Sequence, residues 1–288
     1  MSRYETIELT DEVRKTLPGE FVQLTDGYVH YELAGPVEGN VVVLVHGFST
    51  PSFIWDPTFN YLVNDFRVLR YDLYGRGHSD RPEKRYNMEF FTKQLFELVN
   101  KLGLTSKKFN LVGLSMGGGI CVVFADQYPD LVKKMSLIDP IGFPMKGNAL
   151  FSLMKIPILN RLAINLIGYD RLLEGQKGDF FNYDRIDEYL EKYAEQMKYR
   201  GFLRAIRSTM LNISFTGLVK TYERLGNRGI PMQLFWGKKD QTIPFSTSQK
   251  VIAAVPSIEF HPVKESGHVP HYTHPDEVNP LLQAFLLG

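Results

Sequence analysis

Cysteine is almost missing from this chain: Cys121 is the only one in 288 residues. An internal disulfide framework and a cysteine zinc site are both excluded. An excess of one charge is missing too, since 33 lysines and arginines stand against 32 aspartates and glutamates. No broad field then favours nucleic acid or an anionic membrane, and a small or neutral partner fits better. No stretch approaches the roughly 18 consecutive apolar residues of a membrane span. Met1 to Glu20 mixes both charges without an apolar centre, unlike a signal peptide. The expectation is a soluble, cytoplasmic protein, long enough for one large α/β domain with an insertion.

What is present is an alternation. Short β-rich runs open the chain at Phe21 to Leu24 and Tyr28 to Tyr31, with Asp26-Gly27 between them as a hairpin turn. Val41 to Val45 is continuously apolar, as expected of a strand covered on both faces. Arg67 to Tyr71, Phe109 to Val112, Met135 to Ile138 and Met232 to Phe235 repeat the theme. Helix-like segments, Met88 to Leu102 and Gly117 to Gln127, lie between them, so a mostly parallel sheet flanked by helices is predicted. No repeat or low-complexity tract interrupts it.

After Pro140 the pattern changes. Ile186, Tyr189, Leu190, Tyr193 and Met197 recur at helical spacing, as do Leu203, Ile206 and Met210. Phe151, Met154, Phe180, Phe181, Phe202 and Phe215 add aromatic and flexible apolar bulk. The expected organisation is a core of residues 1–141 and 226–288, with 142–225 inserted as a helical cap over the C-terminal edge of the sheet. Most cap aromatics are expected to pack the insert onto the core, and a minority to line a pocket.

Gly113-Leu114-Ser115-Met116-Gly117 is a G-x-S-x-G pentapeptide between a predicted strand and a predicted helix. On so sharp a turn the glycines relieve backbone collisions and the serine projects outward, ready to attack a carbonyl. A serine hydroxyl needs a base, and the base needs an acid to hold its tautomer. His268, in a loop before the final helical segment, and Asp240, in Trp236 to Pro244 beyond an apolar strand, supply them in the chain order Ser, Asp, His. Asp139, before Pro140, is the competing acid. His271 and His274 follow His268 at three-residue spacing, but without H-E-x-x-H or a carboxylate pattern a metal site is disfavoured. His46 and His78 are expected to shape loops, and Cys121 to face the packed interior.

With His46-Gly47-Phe48, Asp72 to Ser79, the serine pentapeptide and the Asp240 and His268 loops, the chain resembles the α/β-hydrolase superfamily from about Phe21 to Leu287. The resemblance implies an α/β-hydrolase fold and an oxyanion hole formed by the backbone N–H groups of Phe48 and Met116. It also implies a hydrolase that needs no cofactor and acts on a small-molecule ester. The leading reading is a carboxylesterase or small lipase for apolar acyl groups. A carbon–carbon bond hydrolase of ring-cleavage products is the alternative enzyme, with Arg171, Arg204 or Arg207 as possible carboxylate partners. A ligand receptor that keeps the triad and signals through its cap is the alternative from another class.

Overall fold

The computed structural model describes residues 4–144 and 168–288. Of the predicted cap residues, Phe151 and Met154 lie outside the described residues.

Eight strands form one sheet in the order β1-β2-β4-β3-β5-β6-β7-β8. They are β1 Glu20–Leu24, β2 Gly27–Ala34, β3 Val41–Val45, β4 Arg67–Tyr71, β5 Phe109–Leu114, β6 Val132–Ile138, β7 Met232–Gly237 and β8 Glu259–Val263. β1 pairs with β2 and β2 with β4 antiparallel, and every later pairing is parallel. The first hairpin closes one residue earlier than expected, because Gly27 already pairs with Leu24 and leaves Thr25 and Asp26 as the loop. β8 is an element the apolar pattern does not reveal. It is a polar edge strand, Glu-Phe-His-Pro-Val, with only Val263 buried and Pro262 unable to donate to a ladder.

The apolar runs work because side chains alternate between the sheet's two faces. Val43, Val45, Leu69, Tyr71, Leu111, Leu137 and Leu234 join one buried cluster with the helices Met88–Lys101 and Met116–Gln127. Val42, Leu44, Val68, Val112, Leu114, Ile138 and Phe235 join the other, under Asp56–Leu62 and Pro275–Leu287. Between β6 and β7 the described residues contain helices and no strand, including residues 168–177, Ile186–Glu195, Phe202–Asn212 and Val219–Arg228. Phe202 and Tyr189 are buried there, while Phe180 is half-buried. Gln196 donates to Ser49 O at 2.8 Å, and Arg76 donates to Thr209 at 2.9 Å. Both bonds tie these helices to loops at the C-terminal ends of β3 and β4.

The loop after β4 shares a buried ion pair with strand β2. His30 Nδ1 lies 2.7 Å from Asp72 Oδ2, and His30 Nε2 lies 2.9 Å from Pro18 O. Both partners only accept, so both ring nitrogens donate and the imidazole is charged. Asp72 also accepts from Ser52 N at 2.8 Å and His78 N at 2.9 Å. Burial alone would lower the His30 pKa, yet the Asp72 charge and hydrogen bond carry it above the usual value. The corresponding stability is complete below the unfolded-state pKa of about 6.5 and is lost as pH rises through the higher folded-state value. Thermal unfolding from acid to alkaline pH should therefore show wild type losing stability above neutrality more steeply than His30→Gln. Equal slopes would mean the pair is not charged.

Candidate active site

Ser115 stands where β5 ends and the helix Met116–Gln127 begins, with φ 52 and ψ −116. Non-glycine residues rarely adopt positive φ, and they hold it only when the surroundings fix it. Here Ser115 N donates to Ile138 O at 2.8 Å, and Ser115 O accepts from Gly119 N and Ile141 N, each at 3.2 Å. The flanking glycines are required by close approach. A Cβ at Gly113 would meet the Gly118 Cα at 2.7 Å, and one at Gly117 would collide with the carbonyls of Val45 and His46. The serine is 8% exposed, and its hydroxyl makes no hydrogen bond among the described residues.

The loop after β3 reaches the same place, since a Cβ at Gly47 would sit 3.5 Å from Ser115 Cβ. Its conformation is held from two sides. Leu73 N donates to His46 Nε2 at 2.9 Å, so the proton of the neutral ring is on Nδ1, which donates to Gly47 O at 3.0 Å. Burial lowers the His46 pKa to about 4, keeping that ring neutral. A trans peptide directs its N–H opposite to its carbonyl, so fixing Gly47 O also fixes the Phe48 N–H. Arg76, fully buried, donates from Nε to Phe48 O at 2.8 Å. The N–H groups of Phe48 and Met116 donate to no acceptor among the described residues. Met116 is the first residue of its helix, where N–H groups lack intrahelical partners.

Asp240 follows β7 and His268 follows β8, so the edge strand hidden from the sequence pattern is what brings the two together. A Cβ at Gly237 would strike the carbonyl oxygens of Ser266 and Gly267, which is how closely the loops approach. His268 Nδ1 lies 2.7 Å from Asp240 Oδ2, and Asp240 Oδ1 accepts from Thr242 N at 2.7 Å and Ile243 N at 2.9 Å. His268 Nε2 is buried and has no partner among the described residues. Asp139, after β6 at φ 43, is fully buried, and its carboxylate joins Asp240 and His268 in one group whose polar atoms lie within 4.8 Å of one another.

The structure does not draw His271 and His274 to His268 as a ligand set. His271 is buried against Trp55, with ring centroids 4.3 Å apart, and burial lowers its pKa to about 3. His274 Nδ1 lies 2.8 Å from Thr273 Oγ1. His78 contributes its backbone N–H to Asp72, and its ring packs between His30 and Tyr199. Cys121 is buried, and burial pushes its thiol pKa up, away from thiolate chemistry. Arg171 is exposed and Arg204 donates to Pro82 O and Arg81 O, while Arg207 has a buried Nε without a partner among the described residues. One contact with no sequence signal comes from Asp179. Its carbonyl accepts from His268 N at 2.7 Å, and its carboxylate accepts from Thr242 Oγ1. Nothing in the local pattern marks Asp179, because its partners are set by tertiary packing.

Burial pulls the His268 pKa down, but the Asp240 charge and hydrogen bond, with the Asp179 charge, carry it above the ordinary value. A base that must be neutral to act then becomes competent only at higher pH. If His268 is that base, the acid limb of a pH–rate profile should have its midpoint above the ordinary histidine value of about 6.5. A midpoint below it would place another group in the role.

A family profile described as alpha/beta hydrolase fold matches residues 40–275. The chain is 24% identical over 254 residues to monoacylglycerol lipase abhd6-B of Xenopus laevis, covering 85% of this chain and 74% of the relative. It is 26% identical over 284 residues to the 2-hydroxy-6-oxononadienedioate/2-hydroxy-6-oxononatrienedioate hydrolase of Comamonas testosteroni, covering 91% and 92%. The structure of a bromoperoxidase from Bacillus anthracis superimposes with a TM-score of 0.81 at 24% identity, covering 94% of this chain and all of that one. Three differently named activities share this framework, so the likeness identifies the fold and leaves the substrate to the site. By its profile match and its sheet, the chain belongs to the α/β-hydrolase family.

Proposed function

We propose that this protein is a serine hydrolase that cleaves carboxylic esters with apolar acyl groups, of the carboxylesterase or monoacylglycerol-lipase kind. The observation that carries the reading is the His268–Asp240 pair, which clusters with Asp139, the residue after the Ile138 carbonyl to which the elbow Ser115 N donates. Asp240 accepts from Nδ1 at 2.7 Å, which leaves the lone pair on the buried Nε2, an atom with no partner among the described residues. Ser115 attacks the ester carbonyl while His268 Nε2 takes its proton, and Asp240 stabilises the imidazolium that forms. The oxyanion is received by the Phe48 and Met116 N–H groups, each such donor contributing about 2.7–4 kcal/mol to the transition state. His268 then protonates the departing alcohol and activates the water that hydrolyses the acyl-serine. The peptide geometry fixed by His46 and Arg76 supports the oxyanion role of Phe48.

An apolar acyl site fits the Phe48 ring, which packs edge-on against Phe215 with centroids 5.9 Å apart, beside the serine loop. Each further methylene buried should then add about 0.8 kcal/mol to transition-state binding until the site is full. A panel of p-nitrophenyl esters should show kcat/KM rising from acetate to medium chains and falling for very long ones. Arg207, whose buried Nε has no partner among the described residues, keeps a second reading in view, the carbon–carbon hydrolase of ring-cleavage products. Faster cleavage of a ring-fission dienone than of any ester, or a flat chain-length profile, would overturn the esterase reading.

A further inference from the structure

We propose that Asp139 is a positioning residue held as the neutral carboxylic acid, donating its proton in a hydrogen bond to Asp240. The inference rests on the reading of Asp240 as the acid that orients His268. Asp139 Oδ1 accepts from Gly237 N at 3.0 Å, while Oδ2 is buried with no partner among the described residues. Beside it stands Asp240, a second fully acceptor group when ionised, with a carboxylate oxygen of each residue within 4.8 Å of the other. Two carboxylates can share a hydrogen bond only if one carries a proton. Asp240 is the acceptor of that bond. Its two oxygens already receive Thr242 N, Ile243 N and the His268 ring N–H, all of which favour the charged form. Asp139 has a single amide donor among the described residues and no exposure to water.

The charged and titratable neighbours agree. Asp240 and Asp179 face Asp139, and both repel a further negative charge. Burial and then these neighbours push the Asp139 pKa well above the usual carboxylate range. With all three aspartates ionised, His268 even as imidazolium would leave a net charge of about −2 in a largely dry cluster, a costly state. With Asp139 neutral, its O–H shares the Asp240 charge and restrains how strongly Asp240 holds the imidazolium. The high pKa of His268 is thereby moderated, leaving more of the neutral base.

The test is the pKa of His268 followed by NMR of ring-labelled protein, without substrate. Asp139→Asn replaces an O–H donor by an N–H donor of the same shape, so the His268 pKa and the acid limb of kcat/KM should stay at the wild-type position. Asp139→Ala removes the donor, leaves the Asp240 charge unshared, and should move both upward. If Asp139 is ionised instead, Asp139→Asn deletes a negative charge beside the imidazole and the pKa should fall, by about 1–3 units for a charge this close; that result overturns the proposal. Wild type labelled with ¹³C at the aspartate carboxyls gives a reading that needs no variant to fold. One carboxyl should remain protonated at neutral pH, and its signal should vanish in Asp139→Asn. A spectrum with every aspartate ionised, or a protonated signal that persists in Asp139→Asn, also overturns it. Absence of ester hydrolysis with these NMR results intact would count against the proposed function and leave the protonation of Asp139 standing.

Discussion

Ser115→Ala is expected to lose ester hydrolysis, with kcat falling by about 10⁶, while the protein stays folded. The hydroxyl makes no hydrogen bond among the described residues and contributes little packing, so removing it leaves no orphaned partner. The backbone at φ 52 is equally strained for alanine and serine, and the stability change should stay within about 0.5 kcal/mol. What disappears is the atom that forms the acyl bond, and the oxyanion donors alone supply only residual catalysis. An organophosphate or sulfonyl fluoride should add one group per wild-type chain, at Ser115, and none to the variant. Labelling at another residue, or unchanged turnover in a folded Ser115→Ala protein, would remove Ser115 from its role.

The parts of this molecule that could be read from the chain are those written as local pattern. Val41 to Val45 and Met232 to Phe235 announce buried strands because both faces of a parallel strand are covered, and the elbow announces itself because only glycine tolerates the approach of Val45 and His46 to Gly117. β8 was not legible because an edge strand needs few buried side chains, and Glu259 to Val263 offers one. Asp179 and Arg76 were silent for another reason: their roles depend on carbonyls and hydroxyls brought near by packing, namely Phe48 O, Thr209 and the His268 amide. His46 lies between the cases. Its loop-shaping role was expected, yet its tautomer follows only from Leu73 N donating to it across the sheet's edge.

The choice between the two aspartates was open in the sequence, and the geometry turns it into a contrast of expected magnitudes. Asp240 meets His268 Nδ1 at 2.7 Å and is braced by two backbone amides, whereas Asp139 has one amide and no hydrogen bond to the imidazole. Asp240→Asn should preserve both backbone bonds through its carbonyl oxygen, so the loop keeps its shape. Its NH₂ group, turned toward Nδ1, would then favour the tautomer with the proton on Nε2. That nitrogen could no longer accept the serine proton, and kcat should fall by up to about 10⁴, the loss known for the same change in a serine protease. Substrate binding, which does not use the tautomer, should change little, so KM should move far less than kcat. Asp139→Asn should cost kcat far less. Steady-state kinetics of both variants, with thermal unfolding to establish that each is folded, decide the matter. If Asp139→Asn proves the more damaging to kcat in a folded protein, then His268 is oriented from the end of β6, and the acid of this site is not Asp240.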